Sequence, residues 1–199
     1  MSKKVRHLIF LMGYAGAGKD TVAQMIKDLS YGKSDIIGFA DALKKEYYAT
    51  VGYEYERGKE DRDFKEQHRP GIIRYGEGMK HEKGIYHWIE TALDPLLFDK
   101  ESENNIIVPD CRRVEEVLWM KRFMQKRHAK YMAVYENFDP HLFLIYRPEY
   151  HLKDRDYLTH LAVDIAAEEM FMVNRLIKNT KDLNHLKVIV EELYACRLK

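Results

Sequence analysis

The sequence predicts an α/β domain with a mostly parallel sheet, arranged in three layers. Three observations carry this expectation. Short apolar runs of the kind buried on both faces, Leu8-Ile9-Phe10-Leu11-Met12 and Ile106-Ile107-Val108, alternate with stretches of helical periodicity. The first run breaks into Gly13-Tyr14-Ala15-Gly16-Ala17-Gly18-Lys19-Asp20-Thr21, after which residues 22–29 read as helix. The second run ends on Asp110-Cys111-Arg112-Arg113, at the end of a strand where open α/β sheets bind their ligands.

Taken in order, residues 6–12 form the first strand, and Ile36-Ile37-Gly38-Phe39 a second, short one. A helix follows from Asp41, whose carboxylate is suited to cap it. Residues 54–69 are densely charged and read as a solvated insertion or helix. Pro70 starts a new segment, and the helix bearing Trp88 stops near Pro95. The third strand covers residues 105–108, and a helix runs from Val114 to about Arg127. The fourth strand is expected at residues 131–135, with 142–146 as a further one. A polar region covers 147–156, a strand lies around 171–177, and a last helix starts near Thr180 as its cap. Neither an internal repeat nor a low-complexity linker is present, so residues 1–199 read as one domain with insertions.

The charge balance narrows the function. The chain has 33 Lys and Arg against 32 Asp and Glu, so no net field points to nucleic acid or an anionic membrane as partner. Nine histidines lack metal-ligand spacing of the HExxH kind, and Cys111 and Cys196 form no CxxC pair. Two free thiols suit a reducing compartment, so the expected location is the cytoplasm, the host's where the source is viral. The apolar run near the N-terminus is too short for a signal peptide core, and no stretch is long enough to span a membrane.

Gly13 to Thr21, between a buried strand and a helix, is the context of a phosphate-binding loop. Glycines let successive N–H groups converge on an anion, and the helix start adds about half a positive charge. Lys19 then reaches the outer phosphates as a mobile point charge. Gly13, Tyr14, Ala15, Gly16, Ala17, Gly18, Lys19, Asp20 and Thr21 are therefore expected to hold ATP, which makes the fold a three-layer P-loop NTPase. Asp20 stands where a Mg²⁺-binding Ser or Thr is usual, with Thr21 one place later.

Asp110 is placed either to hold Mg²⁺, directly or through water, or to cap the following helix. Arg112 can clamp an acceptor phosphate, with Arg113 as a weaker candidate. Asp41 either meets the acceptor or serves as a helix cap. Lys44, Arg69 and Arg74 are acceptor-contact candidates that read equally as surface charges. Trp88, with Tyr86, reads as core packing before base stacking. Arg147, Lys153 and Arg155 either supply charge from a closing lid or decorate a surface loop. The catalytic set is then Lys19, Asp41, Arg112 and Arg147. Asp110 joins Asp41, Lys44, Arg69, Arg74, Trp88 and Arg112 in substrate binding, and Asp20 and Asp110 are the metal ligands.

These pieces resemble the deoxynucleoside monophosphate kinase family of phages and mobile elements. Gly13 to Thr21 is similar to that family's Gly-Lys-Asp-Thr loop. Phe39-Ala40-Asp41-Ala42-Leu43-Lys44 resembles its Phe-Ala-Asp-Pro-Leu-Lys segment, with Ala42 for proline. Tyr75-Gly76-Glu77 through Trp88 is similar to its Gly-Thr-Glu…Arg…Trp stretch, with Glu77 for threonine and His81 for arginine. Val108-Pro109-Asp110-Cys111-Arg112 looks like its strand-ending Asp-x-Arg, and Asn179-Thr180 like its last helix start. The resemblance implies transfer of the γ-phosphoryl of ATP to a nucleoside monophosphate with Mg²⁺, an acceptor region at about 41–100 and a lid-like segment at about 147–165. The chain also resembles phosphomevalonate kinase of the animal type, through its Gly-Lys-Asp loop and Asp110-Cys111-Arg112-Arg113-Val114…Trp119. Dephospho-coenzyme A kinase, with a hydroxyl acceptor, comes third. A P-loop switch that binds nucleotide without transferring phosphate is the alternative from another class. A homodimer stays open.

Overall fold

The computed structural model of the chain describes residues 5–147, 163, 173–180 and 182–198. Along the chain the elements are β1 (Arg6–Met12), α1 (Lys19–Leu29), β2 (Ser34–Ile36), α2 (Phe39–Thr50), α3 (Tyr55–Glu60), α4 (Arg62–Lys83), α5 (His87–Leu97), β3 (Asn105–Cys111), α6 (Val114–Met124), β4 (Phe138–Tyr146), β5 (Val173–Lys178) and α7 (Leu183–Leu193). They fall into two compact units, one of Met1–Ile37 with Phe98–Lys199 and one of Gly38–Leu97.

The first unit holds a five-stranded sheet in the order β2-β3-β1-β4-β5, with every described pairing parallel. Parallel strands need crossovers and covered faces, which is why β1 reads as an unbroken apolar run. On one face Ile9, Leu11, Phe143 and Ile145 pack with Val22, Ala23 and Ile26 of α1 and Leu186, Val190 and Leu193 of α7. On the other, Phe10 meets the edge of Trp119 of α6, 6.2 Å between ring centres, and Trp119 stacks on Phe123. Each fully buried Val, Leu, Ile or Phe side chain among these contributes about 1.5–3 kcal/mol from burial alone. A parallel sheet flanked by helices, entered through a glycine loop after its central strand, is the P-loop NTPase fold the sequence predicts.

One irregularity positions chemistry. Phe10 pairs with Val108 and Met12 with Cys111, so β3 carries one residue more than β1 across that step. This bulge absorbs Pro109, which has no N–H for the ladder. It also shifts the alternation, leaving Asp110 half-buried and Cys111 fully buried.

Several expected elements differ. Residues 131–135 are not a strand. Two short 3₁₀ turns, Ala129–Tyr131 and Tyr135–Asn137, occupy that stretch, and the strand is β4. Aromatic packing decides it: Tyr131 lies edge-on to Trp119, and the Tyr135 hydroxyl donates to the carbonyl of His128 at 2.8 Å. Thr180 does not cap the last helix. Asp182 does, accepting from the N–H of Asn184 at 2.9 Å.

The second unit is helical. Residues 54–69 form α3 and the first turns of α4, with Asp61 capping α4 through the N–H of Phe64 at 2.8 Å. Pro70 does not start a segment but lies inside α4. Packing on α2 carries the helix across it. Tyr47 bonds His68 at 3.1 Å, the Tyr75 hydroxyl donates to Glu46 at 2.6 Å, and Gly76 leaves room for Leu43. Asp41 is not the cap of α2 either. The helix begins after Gly38, and Asp41 sits in its first turn, where a carboxylate also meets the positive helix end.

Candidate active site

The loop from Gly13 to Gly18 is built so that only glycine fits at its critical points. Gly13 has φ 149°, and a Cβ there would lie 2.2 Å from the Ile145 carbonyl oxygen. Gly18, the N-cap of α1, has φ 100°, and a Cβ would lie 2.5 Å from Nδ2 of Asn179. A glycine cap offers no side-chain acceptor to the first-turn N–H groups of α1, a role an anion takes in phosphate loops. Ala15, Gly16, Asp20 and Thr21 are exposed, while Tyr14 and Ala17 are buried beneath the loop.

Lys19 is 8% exposed, and its ammonium donates to the carbonyls of Gly13 at 2.8 Å and Tyr14 at 2.9 Å. A buried ammonium costs several kcal/mol unless its donors are used, and these two carbonyls take two of its three. Asn179 braces the loop from β5. Its backbone N–H donates to Tyr146 and its side chain to the carbonyl of Ala17 at 2.9 Å. The sequence marks Asn179 only as part of a resemblance, because its partner lies far away along the chain.

At the neighbouring strand end, Arg112 is exposed and Asp110 half-buried. Glu116, which sequence reasoning missed, organises this turn. It is buried, and its Oε2 accepts from the N–H groups of Arg112 at 2.6 Å and Arg113 at 2.8 Å. Burial, with the nearby Asp110 charge, pushes its carboxyl up to about 8 against the pull of those N–H groups. Burial also raises the Cys111 thiol, with Glu116 and Asp110 adding to it and Lys19 and Arg112 opposing. Lys19, Asp110 and Arg112 therefore share one electrostatic neighbourhood at the carboxyl ends of β1 and β3. Arg147 reaches the same edge, its Nη1 3.5 Å from the Gly16 carbonyl. Lys153 and Arg155 lie outside the described residues, as does most of the expected lid.

Asp41, Lys44, Arg69, Arg74 and Trp88 all lie in the helical unit. Asp41 pairs with Lys44 at 3.4 Å and accepts from the Tyr55 hydroxyl, whose pKa rises through burial and that bond. Arg69 is exposed and paired with Glu66 at 2.9 Å, and Arg74 is exposed on α4. Trp88 is buried and donates to the Gly76 carbonyl at 3.1 Å, which is the packing role expected first.

The family profile of phosphomevalonate kinase matches residues 11–126, which take in the loop, the helical unit and the Asp110-x-Arg112 turn. The chain belongs to the phosphomevalonate kinase family. It is thus a P-loop kinase by family and fold, as the resemblance to animal-type phosphomevalonate kinase implies. No curated protein matches the chain. Solved structures to which it is similar include shikimate kinase from Bacteroides thetaiotaomicron, 15% identical over 96% of this chain and 97% of that one, TM-score 0.41. Shikimate kinase from Acinetobacter baumannii in complex with shikimate is 12% identical over 99% and 97%, TM-score 0.44. A fungal RNA kinase is 13% identical over 99% and 88%, TM-score 0.46. The family assignment stands on the profile match.

Proposed function

We propose that the protein transfers the γ-phosphoryl of ATP to a phosphate monoester, and that the acceptor is a (deoxy)nucleoside monophosphate. The observation supporting transfer is the clustering of Lys19, Asp110 and Arg112 at one end of the sheet, beside a loop shaped for phosphates. In this reading the loop grips ATP, Lys19 and Arg147 offset charge on the transferring group, and Arg112 holds the acceptor phosphate. Asp20, Thr21 and Asp110 offer only oxygen donors, the ligand type Mg²⁺ takes, and the ion would neutralise charge on the outer phosphates. A phosphate monoester is mostly ionised at neutral pH, so it needs orientation more than a base.

The nucleoside reading draws on the helical unit, proposed as the acceptor region with Asp41, Lys44, Arg69 and Arg74. That unit carries a column of half-buried rings, Tyr53 stacked on Phe64 at 3.8 Å and Phe64 on His68 at 4.1 Å. Flat rings suit a planar base better than a branched aliphatic chain. The family match favours a second reading, with phosphomevalonate as acceptor. A coupled ATP-consumption assay with Mg²⁺ separates them, run against separate nucleoside and deoxynucleoside monophosphates, phosphomevalonate, dephospho-coenzyme A and water. Turnover with a nucleotide is the expected result. Turnover with phosphomevalonate alone moves the acceptor, and ATP loss to water alone overturns the kinase reading.

A further inference from the structure

Away from the phosphate loop, the starts of β1 and β4 lie side by side at the opposite, amino-terminal edge of the sheet. Parallel pairing sets His7 against Asp139 and Ile9 against His141. Three potential ligands from two strands thus gather on one face, within 4.8 Å of one another. Nδ1 of His7 is 3.0 Å from Nε2 of His141, which is 3.1 Å from Oδ2 of Asp139. Nδ1 of His7 and the same carboxylate oxygen are 3.7 Å apart.

We propose that His7, Asp139 and His141 form a divalent transition-metal site, with zinc as the ion that fits it. In a tetrahedral zinc centre with bonds of about 2.0–2.2 Å, ligand atoms lie roughly 3.3 Å apart, and the three separations here bracket that value. Two imidazoles and one carboxylate with a fourth position left over is a ligand set zinc accepts. The burial is graded to suit: the His141 side chain is 6% exposed and that of His7 16%, while Asp139 is 52% exposed and provides the entry path. The His141 ring also stacks on Phe143, which fixes its plane.

The same surroundings limit the affinity. Nδ1 of His141 is buried without a hydrogen-bond partner among the described residues. With Nε2 on the metal, the ring proton sits there and lacks the acceptor that usually supports a ligating histidine. Arg197 lies within electrostatic range of His141 and opposes a cation, which Asp139 offsets. The missing acceptor lowers the affinity by roughly 10–100-fold relative to a supported site.

The test is titration of the chelator-treated full chain with Co²⁺, read by the visible bands of tetrahedral cobalt, then displacement by Zn²⁺. One saturable equivalent is expected in the parent protein. Asp139→Ala should weaken binding at least about tenfold, and His7→Gln with Asp139→Ala should abolish the bands. Circular dichroism checks folding. If the double variant does not fold, Asp139→Ala decides alone, since an exposed side chain is removed there. Absence of a saturable equivalent, or binding unchanged in these variants, overturns the site.

Discussion

Lys19 and Glu116 both bury an ionisable group and both find main-chain partners, yet they serve different ends. Lys19 is the charge that the loop presents to phosphate. Lys19→Ala should reduce turnover by at least about a hundredfold while circular dichroism stays unchanged, and normal turnover in it would remove the kinase reading. Glu116 holds the turn bearing Arg112. Its folded pKa lies above its ordinary value, so folding favours the protonated form. Stability from this group is full below about pH 4.5 and is lost as pH rises toward about 8, at most ~1.4 kcal/mol per pH unit. Glu116→Gln keeps an acceptor for both N–H groups and cannot ionise. Denaturant unfolding across that window, without nucleotide, should show its stability gaining on the parent's as pH rises. The loop was legible in the sequence because glycine, lysine and spacing encode it locally. Glu116 was hidden among the charges of a helix start, where its burial and its two main-chain hydrogen bonds set it apart from Glu115.

At the scale of elements, sequence patterns located the strands whose pairing is buried and failed where side-chain packing overrides local signals. Pro70 reads as a boundary, but α2 holds α4 together across it. Residues 131–135 have strand composition, but Tyr131 and Tyr135 belong to the aromatic cluster around Trp119. The end of β5 shows the reverse case, an element boundary with a function. Asn179 ties that end to the loop after β1 through the Ala17 carbonyl. Asn179→Ala leaves a buried carbonyl without its donor and should lower stability by about 1–3 kcal/mol, with KM for ATP rising more than kcat falls. Thermal unfolding and steady-state kinetics measure both, and unchanged values would show that the loop holds its shape unaided.

On the scale of the whole chain, α/β alternation was enough to predict a parallel sheet, but not the order of its strands or the compact unit of residues 38–97. Strand order depends on crossovers, which composition does not record. The charged stretch 54–69 reads as a solvated insertion or helix, and the helix is what forms, because its few rings are spaced to meet on α2. No helix among the described residues is long and apolar enough to cross a membrane. A chain cut after residue 137 would lack β4 and leave one side of β1 unpaired. It should fail to give a cooperative unfolding transition, and a native-like transition would show that β2, β3 and β1 suffice.

The pairings of β1 also set a schedule for synthesis. Leu8 is made long before its neighbours in the sheet, Ile106 on one side and Pro140 on the other. At roughly 5–20 residues per second, the ribosome leaves this apolar strand waiting for several seconds before either partner emerges. During that wait Leu8 to Met12 is the segment most open to wrong partners. Slower translation lengthens the exposure, so the yield of folded protein should depend on elongation rate and on chaperones that shield the first strand.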